Sequence, residues 1–365
     1  MSSSIDHTTG GRFAMLLGSL HRLNCRRTLL FLIPCLVLPF MSQAATAKEP
    51  VKLIFDTDLG DDIDDAMALA TIHALQSRGE CELLAVTIVK DNELSGPAAD
   101  AINTFYGRPD IPVGVVKKGV RPQESRFTGS LTNTKNGDKQ RYPHTLLSGN
   151  DAPEATEVLR KTLVAQPDHS VVIAQVGYMT NLARLLNSPP DEISPLNGRD
   201  MVAKKVKLLS IMAGNFGPAK NKPEFNVVQD LASSKKLLTD WPTPVVISGY
   251  EIGLNIRYPW QSVEKDFGYV KHHPVHESYL AWDKKPHERP TWDLTSVLYA
   301  VRPDHGYFGL SDPGTSTVDD RKLTQFEFDP EGLHRYLTVT PEQIIRVREA
   351  LVQLTSQPPD VLPEQ

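Results

Sequence analysis

The chain is predicted to fold as a single large α/β domain with a mostly parallel central sheet flanked by helices. Strand-like and helix-like segments alternate along residues 48–365, which is typical of parallel strands joined by right-handed helical crossovers. Strand-like residues 82–89 are apolar without polar alternation, as expected of a strand covered on both faces. Because no internal repeat or linker divides this region, we expect one core in a domain of about 320 residues.

The predicted strands are short apolar, β-prone runs, and the predicted helices have apolar residues at helical spacing. The strands cover residues 51–55, 82–89, 111–116, 170–175, 206–212, 244–248 and 323–328. The helices cover residues 66–75, 96–106, 153–164, 229–238 and 341–354, with others after residue 181 and from residue 293. Residues 117–150 are predicted to be a long loop, and long loops are often functional. Residues 258–293 are predicted to be helical and irregular.

The first 47 residues have the pattern of a secretory signal peptide. Basic residues, an apolar run and small residues follow one another as Arg22, Arg26, Arg27, residues 29–41 and residues 42–47. We expect cleavage after Ala44 or Ala47 and export to the periplasm or the medium. The apolar run is shorter than the about 20 residues that span a membrane, so no stable membrane insertion is expected after cleavage. An uncleaved anchor is the alternative.

Charge argues against a nucleic-acid-binding protein, and cysteine content argues against a domain held together by disulfides. Removal of residues 1–44 would leave 35 basic and 43 acidic residues, a formal charge of −8. Binding to a nucleic-acid backbone requires a basic face, so a nucleic-acid partner is not expected. Cys81 would be the one remaining cysteine. The exported domain would therefore lack an internal disulfide and depend on its core for stability.

Six aspartates lie within ten positions between the first predicted strand and the first predicted helix. They are Asp56, Asp58, Asp61, Asp62, Asp64 and Asp65. Carboxylates this close repel one another, and a folded chain tolerates them in water or around a metal ion. Ligands of α/β proteins bind at the carboxyl ends of strands, and Gly60 gives the backbone freedom that a sharp turn requires. Because apolar segments flank the run, a metal site is favoured over a solvated acidic loop.

The order Asp-x-Asp-x-Gly, then Asp-Asp-Ala at a helix start, resembles the N-terminal motif of the nucleoside hydrolases, calcium-dependent inosine- or uridine-preferring N-ribohydrolases. Further segments are similar to those of the family and follow in its order: residues 82–92, 176–181, 212–226 and 292–293. The acidic turn and the Glu-Phe-Asn segment at 224–226 are specific together, whereas each other segment alone is weak. The resemblance covers most of residues 48–365 and implies a Rossmann-like core in a divergent, exported member.

The resemblance implies a calcium site built from separate loops. Its ligands would be Asp58, Asp65, Asp293 and the carbonyl of Val176. A hard cation takes several oxygen ligands and acidifies a ligated water. Asp58 would also be the base that takes a proton from this calcium-activated water. The water would attack C1′ of the riboside through an oxocarbenium-like state.

The resemblance also implies which residues bind the riboside. Asp64 and Asn92 would contact the 2′- and 3′-hydroxyls, while Glu224 and Asn226 would hold the 5′ end and the ring face. Asn226 would be catalytic as well, because groups that hold the sugar while positive charge develops lower the barrier. The remaining substrate contacts would be Met212, Asn215 and Trp292. Members are commonly dimers or tetramers, and the resemblance leaves a homodimer or a homotetramer open.

For two of the predicted substrate contacts, a second residue could take the same role. Residues 61–63 lengthen the turn between the glycine and the paired aspartates relative to the family's motif, so Asp62 could take the role of Asp64. The loop after Met212 is shorter than the family's, so Asn221 competes with Asn215.

Trp292 stands where many members of the family have a histidine that protonates the leaving base. Some purine-preferring members stack the base on a tryptophan, so the resemblance implies an aromatic base at Trp292 and another way of stabilising the leaving group. A core aromatic at a helix N-terminus is the alternative interpretation. An acid could come instead from a nearby histidine-rich segment, which contains His272, His273, His276 and His287.

We therefore expect hydrolysis of the N-glycosidic bond of a ribonucleoside, a purine slightly favoured, to ribose and free base. A non-catalytic riboside-binding protein is one alternative, but it would have no need of the metal ligands. A haloacid-dehalogenase-type phosphatase is another, since those enzymes also carry Asp-x-Asp on a metal-binding turn. They have Thr or Val where Gly60 stands here.

Overall fold

A ten-stranded sheet forms the centre of the protein in this computed structural model, which describes residues 49–218 and 220–362. The strands are β1 (Val51–Thr57), β2 (Cys81–Lys90), β3 (Val113–Val120), β4 (Lys135–Asn136), β5 (Lys139–Gln140), β6 (Val171–Gln175), β7 (Val206–Met212), β8 (Val245–Ser248), β9 (Arg257–Tyr258), β10 (Arg289–Pro290), β11 (Gly309–Leu310), β12 (Gly314–Val318), β13 (Thr324–Phe328) and β14 (His334–Thr338). The sheet order is β13-β12-β14-β8-β7-β6-β1-β2-β3, and β11 pairs with β14. The pairs from β14 to β3 are parallel, while β11, β12 and β13 are antiparallel to their neighbours.

Helices connect the parallel strands. They are α1 (Asp64–Ser77), α2 (Ser95–Phe105), α3 (Thr128–Thr132), α4 (Ala155–Val164), α5 (Thr180–Asn187), α6 (Gly198–Lys205), α7 (Phe225–Gln229), α8 (Leu231–Asp240), α9 (Tyr250–Asn255), α10 (Trp260–Lys265), α11 (Pro274–Trp282), α12 (Trp292–Val301) and α13 (Pro341–Thr355). A short 3-10 turn covers Gly149–Asp151.

The core lies in two apolar layers, one on each face of the sheet. Helices α1, α2, α12 and α13 contribute to one layer, and α4, α5, α6 and α8 contribute to the other. Helix α1 is buried from Asp64 to Leu75, because α12 and α13 pack over it. This arrangement confirms the predicted α/β fold with a mostly parallel sheet flanked by helices.

The differences from the prediction are largest in two parts of the fold. The region predicted as a loop begins within β3, which continues to Val120, and it contains α3 and the β4–β5 hairpin. These elements are too short to give a periodic pattern. The sheet contains the strand predicted at residues 323–328, and it also contains β12 and β14, which were not predicted. The sequence Gly-Thr-Ser-Thr-Val of β12 lacks the apolar alternation that marks a strand, although its residues alternate between buried and exposed positions.

The predicted signal peptide, residues 1–47 with cleavage after Ala44 or Ala47, lies outside the described residues. Export therefore stays a prediction. Within residues 49–218 and 220–362, no helix is both long enough and apolar enough to span a bilayer.

Candidate active site

The carboxyl ends of four neighbouring parallel strands surround a cavity of about 340 Å³. Each strand places one lining residue at this edge: Asp58 after β1, Val176 after β6, Met212 at the end of β7 and Tyr250 after β8. Asp64 and Asp65 open α1, and Trp292 and Asp293 open α12. The cavity therefore lies where ligands of open α/β sheets usually bind, and its volume suits a small molecule.

The turn after β1 brings its aspartates into the cavity through a reversed backbone. Gly60 adopts φ +118°, a conformation that side-chain-bearing residues rarely take. The Asp61 amide donates to the Asp58 carbonyl at 3.1 Å, and this bond closes the turn. Helix α1 has no side-chain cap at its start. The carboxylates of Asp64 and Asp65 instead occupy its first turn, where the helix dipole favours negative charge.

Four carboxylates meet at the centre of the site. Asp58, Asp64, Asp65 and Asp293 each have 5% or less of their surface exposed. The last three offer oxygens that all lie within 4.8 Å of one another. The Asp293 amide donates to Asp64 Oδ2 at 3.3 Å. The hydroxyl of Thr57 donates to Asp65.

Burial raises the pKa of every carboxyl in this cluster. It raises the pKa of Asp64 from 3.8 to about 7. For Asp58, Asp65 and Asp293, burial comes first and repulsion by neighbouring carboxylates second, and together they raise each pKa well above 3.8. None of the four forms an ion pair within the described part of the chain. A divalent cation would offset this uncompensated charge, and carboxylate oxygens are the donors that calcium prefers.

Val176, whose carbonyl is the predicted backbone ligand, also lines the cavity. Asn226 Nδ2 donates to this carbonyl oxygen at 2.8 Å and to the Met212 carbonyl at 3.3 Å. The structure thus brings together Asp58, Asp64, Asp65, Asp293 and Val176 with Asn226. These oxygens fit a hard divalent ion.

Gly177 lets the turn after β6 pass close to the turn after β1. A Cβ atom at this position would lie 2.6 Å from the Asp58 backbone nitrogen and 2.7 Å from Val89 Cγ1. We expect Gly177→Ala to move Asp58 or the neighbouring Val176 carbonyl and to weaken the binding of a divalent cation at this cluster by about tenfold or more, since small misplacements at a site are costly. Isothermal titration with calcium measures this effect. In the matched control Gly268→Ala, the nearest atom would be 3.5 Å away, so unchanged affinity is expected; equal losses in both variants would contradict the assignment.

Glu224 caps helix α7 and lines the cavity. Its Oε1 accepts from the Asn226 amide at 2.9 Å, and its Oε2 accepts from the amides of Gly214 and Val227 at 3.1 Å. Burial raises its pKa from 4.5 to about 7. Phe225 between these residues is 46% exposed and also lines the cavity. Backbone amides therefore hold the Glu224 carboxylate in place, and the Glu-Phe-Asn segment presents its side chains to the cavity.

An aromatic wall closes another side of the cavity. The rings of Trp292 and Tyr250 stack with centroids 5.3 Å apart. Trp292 Nε1 donates to the Tyr250 carbonyl at 2.9 Å. The guanidinium carbon of Arg289 lies 5.1 Å from the Trp292 ring centroid. All three residues line the cavity, so this wall combines aromatic surface with a cation.

The three remaining aspartates of the turn have separate partners. Asp61 accepts from Lys90 Nζ at 2.6 Å and from Arg121 Nε at 2.9 Å. Asp62 pairs with Arg289. Asp56 lies outside the cavity lining and joins strand β2 to helix α5, since its Oδ1 accepts from Thr87 at 2.6 Å and Asn181 at 2.7 Å.

Several predicted contacts do not line the cavity. Asn92 Nδ2 donates to the carbonyls of Pro122 and Gln123, and its Oδ1 accepts from the Leu94 amide, so its side chain holds the loop after β2. Asn215 is buried outside the lining, and Asn221 is exposed. Asp64 lies with the other cluster carboxylates, whereas its alternative, Asp62, lies against Arg289.

The candidate histidines also lie elsewhere. His272 pairs with Glu277, and His287 stacks on Tyr279. His273 caps α11, and burial lowers its pKa from 6.5 to about 3; burial likewise lowers the pKa of His276. No histidine lines the cavity in the described residues.

Sequence reasoning missed three polar side chains at the site. Arg121, Tyr250 and Arg289 line the cavity, and fully buried Lys90 lies behind Asp61. Arg121 belongs to the segment predicted to be a functional loop and has φ 55°, a strained backbone of the kind that occurs at functional sites. For Lys90, the available signal was a charged residue at the end of an apolar strand.

Comparison with known sequences gives one family. The family model described as inosine-uridine preferring nucleoside hydrolase matches residues 53–344. A protein of Schizosaccharomyces pombe described as uncharacterized is 26% identical over 270 residues, which are 70% of this chain and 81% of that protein. The pyrimidine-specific ribonucleoside hydrolase RihA of Salmonella enteritidis is 32% identical over 211 residues, 55% of this chain. The chain spans 60% of the length of that relative.

Solved structures show the same fold at low identity. A plant nucleoside hydrolase, PpNRh1, superimposes with a TM-score of 0.60 at 21% identity, over 85% of this chain and 100% of the plant chain. The purine-preferring ribonucleoside hydrolase of Gardnerella vaginalis gives 0.63 at 16% identity, over 84% of this chain and 98% of the other. The hydrolase described as inosine-guanosine nucleoside hydrolase gives 0.61 at 21% identity, over 83% and 98%.

Proposed function

Because the chain belongs to the inosine-uridine preferring nucleoside hydrolase family, we propose that it hydrolyses the N-glycosidic bond of a ribonucleoside to ribose and free base. The observation that supports this most directly is the buried cluster of Asp58, Asp64, Asp65 and Asp293 at the carboxyl edge of the sheet. A protein that only binds ribosides has no use for four uncompensated buried carboxylates, which cost stability.

The cluster is proposed to hold calcium through Asp58, Asp65, Asp293 and the Val176 carbonyl. A bound calcium ion would lower the pKa of a nearby water and offset the repulsion between carboxylates. Asn226 Nδ2, which donates to the Val176 oxygen at 2.8 Å, would keep that carbonyl turned toward the site. Asp58 then accepts a proton from the attacking water while the water oxygen bonds to C1′.

The polar residues around the cluster are proposed to hold the sugar. Asp64 accepts hydrogen bonds from ribose hydroxyls, and the segment of Glu224 and Asn226 faces the 5′ end and the ring. Positive charge develops on the ring as the glycosidic bond breaks. The side-chain oxygen of Asn226 and the neighbouring carboxylates stabilise this charge, because they are buried and held in position before the reaction begins.

A purine is the proposed base, and the support for this is the aromatic wall of Trp292 and Tyr250 in the cavity lining. A bicyclic base offers more apolar area to such a wall than a pyrimidine does. Proteins of the family differ in this respect, since RihA is described as pyrimidine-specific and the Gardnerella protein as purine-preferring. Relative kcat/KM for inosine and uridine decides the preference.

The test is ribose release by the purified protein from inosine, uridine and p-nitrophenyl riboside, with calcium and with EDTA. Calcium-dependent release from at least one riboside is expected, with inosine the better nucleoside. Binding of inosine without any release would support the riboside-binding alternative. Phosphate release from a phosphomonoester, without ribose release, would instead support the phosphatase.

A further inference from the structure

Arg289 is a fixed cation in the wall of the cavity. Its guanidinium carbon lies 4.2 Å from the ring centroid of Trp282 and 5.1 Å from that of Trp292. Its Nε donates to Asp62 Oδ1 at 2.9 Å, and its Nη2 donates to the other oxygen of the same carboxylate. A bidentate hydrogen bond to a carboxylate and contacts with two indole rings together fix both the position and the plane of a guanidinium.

The two arginines of the cavity have different aromatic neighbours. Arg121 pairs with Asp61, and its guanidinium carbon lies 5.0 Å from the ring centroid of Phe225. Phe225 separates Glu224 from Asn226, the residues that we place at the 5′ end of the sugar. Arg289 instead adjoins Trp292, in the wall proposed for the base. The cation that adjoins the proposed base wall is therefore Arg289.

Two unusual features of the sequence meet at this arginine. Asp62 belongs to the lengthened turn after Gly60, and Trp292 replaces the histidine expected before Asp293. Trp292 Nε1 is bonded to the Tyr250 carbonyl at 2.9 Å, so it does not face the cavity as a donor. Among the described residues that line the cavity there is no histidine. The extra aspartate thus holds a cation beside the tryptophan that stands in the place of the histidine.

We propose that Arg289 donates hydrogen bonds to the departing nucleobase and stabilises the negative charge that develops on it. This inference rests on the proposed riboside hydrolysis. The C1′–N bond breaks with its electron pair passing to the base, and the water oxygen bonds to C1′ while Asp58 takes a water proton. The base gains its proton from solvent. Arg289 keeps its own proton, because a guanidinium stays charged at neutral pH. Asp62 is the positioning residue for Arg289.

The experiment compares two leaving groups in Arg289→Met. A nucleobase leaves with difficulty unless its negative charge is stabilised, whereas p-nitrophenolate is a good leaving group without help. We expect kcat/KM for inosine to fall by about 10²-fold or more and that for p-nitrophenyl riboside by less than about fivefold. Asp62→Asn, which loosens Arg289 without removing it, is expected to change the ratio of the two rates in the same direction by a smaller factor.

Two control variants separate this role from others in the same cavity. Arg121→Met removes the cation that lies against Phe225 and is expected to affect both substrates by the same factor. Tyr250→Phe removes the phenol hydroxyl, keeps the ring that stacks on Trp292, and is expected to leave the ratio unchanged. A ratio change in Tyr250→Phe with none in Arg289→Met would assign the leaving group to the tyrosine and overturn the proposal.

The outcomes for hydrolysis and for Arg289 are distinguishable. If the unmodified protein hydrolyses neither substrate, the proposed function fails before any variant is compared. If it hydrolyses both and Arg289→Met loses the two activities equally, the role of Arg289 is overturned while the hydrolase remains. Thermal melting checks that each variant is folded; if Arg289→Met is not, the ratio in Arg289→Lys and Asp62→Asn decides, and an unchanged ratio in both overturns the proposal.

Discussion

Asp293→Asn is expected to abolish calcium-dependent ribose release and, in the absence of metal, to stabilise the protein. The pKa of the Asp293 carboxyl is raised by burial and by the nearby charges of Asp64, Asp65 and Asp58. An asparagine of the same shape removes one charge from this repulsion but is a poor ligand for a hard cation. We expect kcat/KM to fall by about 10³-fold or more. In EDTA, Tm is expected to rise by about 2 °C or more, since about 1 kcal/mol moves the Tm of a large domain by that amount.

Asp191→Asn is the matched control. Asp191 lies away from the cavity and pairs with buried Arg160 at 2.7 Å. Its pKa is lowered, with the hydrogen bond from Arg160 as the first cause. The same substitution here removes a favourable contact, so Tm is expected to fall with and without calcium while ribose release persists. A lower Tm for Asp293→Asn in EDTA would mean that the four carboxylates do not destabilise the metal-free fold.

The sequence predicted the elements that have strong local patterns. The acidic turn, the apolar strand β2 and the buried helices α1 and α12 were recognisable because burial on all sides leaves few polar residues in them. Strand β14 was missed, although it extends the parallel sheet beside β8. Its pairing depends on a partner almost 90 residues earlier in the chain, and no local pattern encodes such a contact.

Part of the site was predictable from residue types crowded into one segment. The carboxylates of the acidic turn indicated a cation, and the resemblance to the nucleoside hydrolases then implied Asp58 and Asp65 as ligands, which stays a prediction. Arg289 could not, because its meaning depends on Asp62 and two tryptophans that surround it only in the folded chain. Asn92 has a suitable residue type at a suitable strand end, but its side chain binds loop carbonyls instead of lining the cavity.

The stabilisation of the protein by calcium is expected to grow as pH rises through about 7. In the metal-free chain, burial raises the pKa of Asp64 from 3.8 to about 7, and burial with carboxylate repulsion raises those of Asp58, Asp65 and Asp293. The folded state therefore holds protons that the unfolded state has released. This contribution to stability is complete at low pH and is lost as pH rises through the folded pKa. The proposed calcium ion would replace these protons, so we expect it to stabilise most where the carboxyls are ionised.

The measurement is Tm with excess calcium and with EDTA, at about pH 5 and about pH 8. We expect calcium to raise Tm by roughly 5 °C or more at the higher pH, as for a ligand well above its Kd, and by much less at the lower. The buried histidines His73, His273 and His334 have lowered pKa values and weaken the fold as pH falls. They act equally in both buffers, so the difference between the two curves isolates the carboxylate cluster. A calcium effect of equal size at both pH values would show that the cluster is already ionised at about pH 5, and it would remove the cost of burial as the reason why these aspartates require a cation.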